Sequence, residues 1–159
     1  MSALFQVGTA FTSTTDLDTL LTRVYQEIVA YLGTPTFFYI ASYLPEAEQV
    51  RFELFMRQGE INLNAHKTTA PKAGLTAEVI ESGRPLLVED LLADPVRRSL
   101  AVNHGAGAEH IRSWLGVPLI SQSRVIGVLS VQDFAPNVFN ERDRQFLAGL
   151  ANQLAIAME

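Results

Sequence analysis

The chain contains no cysteine. Disulfides, thiolate metal sites, thiol nucleophiles and thioether-linked cofactors are excluded at once. Long apolar runs are missing too. The longest are short, such as Phe37 to Ala41, and nothing approaches the ~18 residues a helix needs to span a bilayer. The N-terminus, MSALFQVGTAFTSTTD, lacks the basic start and apolar core of a signal peptide. Basic residues are in the minority, 12 against 17 acidic ones, for a net charge of −5. Nucleic acid or an anionic membrane would not be steered in by attraction, so the chain reads as having neither partner. Without a signal peptide or spanning run it reads as cytoplasmic. Catalytic signatures are also lacking: there is no HExxH, GxSxG or Walker loop, so the chain reads as a non-enzyme.

What is present is a packed globule. The 159 residues are 48% hydrophobic and 18% charged, a balance that buries a core and argues against disorder. One domain over 1–159 is expected, with 1–15 as a helical lead-in, where Leu4, Val7 and Phe11 hint at a short helix. Leu17, Leu20, Leu21, Val24, Ile28 and Leu32 recur at helical spacing and predict a helix from Asp16 to Leu32. Thr15 or Asp16 would cap it, Gly33 would end it and Pro35 would block its continuation.

Thr36–Leu44 (TFFYIASYL) is apolar on both parities, which predicts a strand covered on both faces. After a turn at PEAE, Gln49–Arg57 alternates. Val50, Phe52, Leu54 and Met56 should point one way, and Arg51, Glu53 and Arg57 the other. The middle is irregular, with a short helix over Leu75–Ser82 closed by Gly83 and a short strand at LLVED. Asp94 followed by Pro95 starts a helix near Pro95–Val102, and NHGAGAEHIR reads as a loop. Ser113–Ser121 and Arg124–Phe134 predict two strands joined at Gln122 and Ser123. Asn140 caps a last helix striped by Leu147, Leu150, Ala151, Leu154, Ala155 and Met158. That stripe reaches the end of the sequence with no stop signal, so the helix of 140–159 is expected to continue in a longer signalling protein. The order predicts α+β: a central antiparallel sheet, terminal helices on one face and an irregular lid on the other.

Three segments in this order, GLTAEVIESGRPLLVEDLLADP, SWLGVPLISQSRVIGVLSVQD and FNERDRQFLAGLANQLAIAM, following TTDLDTLLTRVYQEIVAYLG, resemble the GAF domain family over about Asp16 to Ala157. The resemblance implies a PAS-like sheet-plus-helix sensor. Such domains often bind a small molecule between sheet and lid and often dimerise through terminal helices. They sit in histidine kinases, cyclases or transcription regulators. Subfamily features bear on what is bound. Cyclic-nucleotide-binding members carry Asn-Lys, then Phe, three residues and Asp-Glu. Phe139 and Asp143 match, but Gln132, Asp133 and Arg144 occupy the other positions, which removes the Lys–Asp ion pair. The cysteine of many bilin-binding members, and that needed by the methionine sulfoxide reductases, is absent. Haem-binding members use a loop histidine in the region of His110, with His104 nearby, so a haem sensor is one alternative.

Candidate ligand-binding residues are Tyr39, Phe52 and Trp114 as pocket wall, Arg98 and Arg112 as anion grips beside Arg97, and His110. Each also reads plainly as core packing or a solvated side chain. Asp90 and Asp94 read as caps before cation ligands, and Glu109–His110 as a solvated pair before an acid–base one. No pattern names a cofactor. Leu147, Leu150, Leu154 and Ala157 have the spacing of a coiled-coil seam and suggest a homodimer, although the same stripe would also pack on the sheet. Two functions follow: a sensor of an unidentified small molecule signalling through its last helix, or a ligand-free dimerisation module.

Overall fold

The computed structural model describes residues 14–57, 60–62, 68–69, 74–101 and 110–158. The short helix expected around Leu4 and Phe11, His104, the glycine loop and Glu109 lie outside the described residues.

Helix α1 runs Thr14–Leu32. It begins two residues before the expected Asp16, so Thr15 and Asp16 lie inside the first turn. There the Asp16 carboxylate still complements the positive end of the helix dipole. Leu20, Leu21, Val24 and Ile28 are buried as the spacing predicts, with Leu17 and Leu32 partly so. At the far end Gly33 takes a φ of 84°, and its N–H returns to the Val29 carbonyl at 2.9 Å. That left-handed conformation suits a residue with no Cβ.

The sheet is antiparallel at every described pairing. Its strands are β1 (Phe37–Leu44), β2 (Gln49–Arg57), β3 (Glu60–Asn62), β4 (Thr68–Thr69), β5 (Leu86–Val88), β6 (Ser113–Ser121) and β7 (Arg124–Asp133). They lie in the order β3-β2-β1-β7-β6-β5, with β4 also on β2. The β6–β7 turn places Gln122 and Ser123 at φ 51° and 66°, the positive values a tight two-residue hairpin requires. Helix α2 (Leu75–Ser82) ends at Gly83, whose φ is 66°; a 3-10 turn (Leu91–Ala93) and helix α3 (Pro95–Ala101) follow β5. Helix α4 (Glu141–Ala157) starts from Asn140, which forms a capping box with Asp143: each side chain accepts the other residue's backbone N–H, at 3.0 and 2.9 Å.

The two parities of β1 face two separate cores. Phe38 and Ile40 join Leu54, Met56, Leu115, Val117, Leu129 and Val131 beneath α1 and α4. Phe37, Tyr39 and Ala41 join Val50, Val88, Trp114 and Val128 beneath Leu75, Val79 and Leu91 of the lid. Each fully buried aliphatic side chain in these layers stabilises the fold by roughly 1.5–3 kcal/mol.

One expectation for β2 is corrected. Ile40 pairs with Leu54 but Ala41 pairs with Phe52, so Glu53 is an extra residue, a β-bulge. The bulge reverses the alternation. Val50 and Phe52 pack on the lid side, Leu54 and Met56 on the helix side, and Phe55 returns to the lid side. Glu53 is held in place by the Ser42 hydroxyl, which donates to its carboxylate at 2.8 Å.

The expected seam residues Leu147, Leu150 and Leu154 are 0%, 7% and 0% exposed, all inside the helix-side core. As seam residues they are corrected: the sheet already covers them, and leaving it would expose the core. Ala157 is partly buried against the same cluster.

Candidate functional site

The lid-side face of the sheet carries the chemistry. β1, β7 and β6 run side by side there, and pairing sets their residues in rungs. Tyr39, Ser130 and Gly116 form one rung; Phe37, Gln132 and Trp114 form the next. Gly116 has no side chain because the Trp114 indole occupies the space above it; a Cβ at Gly116 would collide with that ring.

Tyr39 is buried in the middle of this face. Its phenol hydrogen-bonds the Thr76 hydroxyl of α2, which ties lid to sheet, and also engages Ser130. Burial, only partly offset by these two hydroxyls, pushes the phenol pKa up to about 12, so the group stays neutral. Ser130 accepts a hydrogen bond from the Gln132 amide at 3.1 Å. Tyr39, Thr76, Ser130 and Gln132 thus make a connected row of buried, uncharged polar groups inside an apolar cluster. Beside this row stands the indole N–H of Trp114, buried and without a hydrogen-bond partner among the described residues.

Aromatic rings line the outer side of the row. Phe52 meets Tyr39 edge-on at 5.1 Å, and Phe55 stacks parallel to Tyr39 at 6.4 Å. Phe134 meets Phe37 at 5.7 Å, and exposed His110 approaches Phe134 edge-on at 6.3 Å. The three aromatics expected as pocket wall, Tyr39, Phe52 and Trp114, therefore share one face and one cluster.

The arginines are placed differently. Arg112 donates to both oxygens of Asp90, at 3.1 and 2.7 Å. This bidentate pair holds the Asp90 carboxyl below its usual range, against the opposing effect of burial, and raises the arginine. Arg112 is thus engaged within the chain rather than open to an anion. Arg97 bridges Glu78 of α2 and Asp94, chiefly through Glu78. Arg98 lies half-buried on α3, where its charge also lowers Asp90. Asp90 and Asp94 do cap, accepting the N–H groups of Leu92 and Arg97 at 3.0 and 3.2 Å.

Sequence reasoning missed Thr76, Ser130 and Phe55 as members of the site, and met Gln132 only as a mismatch. A signal for two of them was present. Val128, Ser130 and Gln132 share a parity of β7, so polar side chains enter a strand otherwise read as buried.

The arrangement, a sheet with helices on one face and a lid over a polar-and-aromatic patch on the other, is that of an α+β module whose sheet is covered on both faces. A family model described as GAF domain matches residues 14–159, and the chain belongs to that family. Among solved structures, a methyl-accepting chemotaxis protein (residues 122 to 287) is similar with TM-score 0.74 and 19% identity, over 99% of this chain and 92% of that one. The GAF domain of an Acinetobacter phosphoenolpyruvate-protein phosphotransferase is similar with TM-score 0.72 and 20% identity, over 98% and 87%. The free methionine-R-sulfoxide reductase of Neisseria meningitidis is similar with TM-score 0.73 and 21% identity, over 97% and 83%. At these identities the likeness is one of fold. A search of curated proteins finds no match. No helix among the described residues is long and apolar enough to cross a membrane.

Proposed function

We propose that this GAF domain is a cytoplasmic sensor that binds a small molecule between the lid and the Tyr39–Ser130–Gln132 face, and that it is not an enzyme. The observation that carries the reading is the row of buried polar groups under the lid. Burying hydroxyls and an amide among apolar side chains is unfavourable unless their hydrogen bonds are used, and here they converge on one face. The Tyr39–Thr76 bond supplies a mechanism. A ligand that competes for either hydroxyl shifts the balance between lid arrangements. The terminal helices, packed on the reverse face of the same strands, would carry that shift to an output domain, and a homodimer would read it out through their outward surface. The complete lack of cysteine supports a role other than that of the reductase neighbours.

A second reading, a ligand-free interaction module, draws support from Trp114, whose ring fills the space over Gly116 as a plug would. Native mass spectrometry of protein purified from cells separates the two. A retained small molecule, lost in Gln132→Leu, supports sensing. An empty protein whose melting temperature no metabolite extract raises would leave the interaction module.

A further inference from the structure

We propose that the molecule held under the lid is uncharged and planar, and that it accepts a hydrogen bond from Nε1 of Trp114 through a carbonyl oxygen or ring nitrogen. The inference rests on the sensing reading above and gives it a ligand class.

Three observations carry it. The first is the Trp114 N–H. A tryptophan used only as a core plug ordinarily finds a partner for its one donor, and a buried donor without one is costly. Here the ring is fully buried and Nε1 has no partner among the described residues. The second is charge. Among the described residues, the buried polar groups on this face, Tyr39, Thr76, Ser130 and Gln132, are neutral. Among the described lid residues, Arg112 is paired with Asp90 and Arg97 with Glu78 and Asp94, and half-buried Arg98 directs its charge at Asp90. An ionised ligand beside Trp114 would therefore bring a buried charge into a face whose described buried groups hold no counter-charge, which the fold would resist. The third is shape. Tyr39, Phe52, Phe55 and Trp114 offer flat faces and edges, which suit a planar ring. Gln132 lies directly opposite Trp114 in the β6–β7 pairing, so an amide sits on the neighbouring strand to meet a second polar atom of the ligand.

The test uses matched pairs differing in charge but not in ring: nicotinamide against nicotinate, and benzamide against benzoate. The chain has one tryptophan, so its indole N–H gives a single resonance in a nitrogen–proton correlation spectrum. The expected result is a saturable downfield shift of that resonance with the amides. The carboxylates should bind at least about tenfold more weakly. Gln132→Leu should weaken the amides, and Trp114→Phe, which keeps a ring but removes the donor, should abolish their effect on melting temperature. Carboxylates binding as tightly as the amides, with loss of binding in Arg98→Ala, would overturn the ligand class while leaving a ligand site. No shift from any of the four compounds at millimolar concentration also overturns it. Whether a site exists is then decided separately, by the mass of the protein purified from cells.

Discussion

The phenol of Tyr39 in the central strand β1 hydrogen-bonds the hydroxyl of Thr76 in the lid helix α2, a buried polar contact that joins sheet to lid. Tyr39→Phe removes the hydroxyl and keeps the ring. The expected cost is about 1–2 kcal/mol of unfolding free energy, because Thr76 is left buried without this partner. Amide exchange over Leu75–Ser82 should accelerate more than exchange in β6. Equal protection of α2 in the two proteins would show that the bond does not hold the lid.

The Asp90–Arg112 pair makes lid attachment sensitive to acid. Arg112 holds the Asp90 carboxyl below its ordinary value, while an unfolded aspartate titrates at about 3.9. A depressed folded value means that the contribution is complete above the unfolded value and is lost as pH falls through the folded one. Asp90→Asn keeps an oxygen to cap Leu92 but removes the charge. The stability gap between wild type and variant should be flat above about pH 5 and close below about pH 4. A gap that persists unchanged to lower pH would mean the loss is not ionic.

Gly116→Ala places a methyl group where the Trp114 indole lies. Overpacking of this kind costs roughly 1–3 kcal/mol. Denaturant unfolding should show the loss, and the emission of the lone tryptophan should shift as the ring is displaced. Unchanged stability with unchanged emission would contradict the packing of these two residues.

Most of the architecture was legible because its signals are local. Gly33, Gly83, the Asp94-Pro95 start and the Asn140 cap each act within a turn of chain, and the structure uses each of them. Ser113–Ser121 is buried at every position but Ile120, and both its ends fell where expected. What was not legible depends on distant neighbours. Arg112 finds Asp90 across 22 positions and Arg97 finds Glu78 across 19, so neither reads as engaged from sequence. The seam spacing of Leu147, Leu150 and Leu154 fits a coiled coil and a sheet-covering helix equally, and only the placement of β6 against α4 shows the sheet covering them. The row under the lid is likewise tertiary: Tyr39 and Thr76 lie 37 positions apart.

The bulge at Glu53 is the sharpest departure from the sequence reading and yields a discriminating measurement. A strictly alternating β2 with Val50, Phe52, Leu54 and Met56 on one face would put Phe55 on the other with Arg51, Glu53 and Arg57, and Phe55→Ala would then leave the packing around Phe52 and Tyr39 untouched. With the bulge, Phe55 packs on the lid side, 6.4 Å from Phe37, 6.4 Å from Tyr39 and 5.9 Å from Phe52. It is partly rather than fully buried, so its loss should cost about 2 kcal/mol, below the range for a fully buried phenylalanine. Deleting Glu53 attacks the same feature from the other side. Restored alternation forces either Val50 and Phe52 or Leu54 and Met56 onto the wrong face, which no single rotamer change repairs. The deletion should therefore destabilise more than Phe55→Ala in the same urea titration, and a mild deletion with a neutral Phe55→Ala would place β2 in an unbulged register.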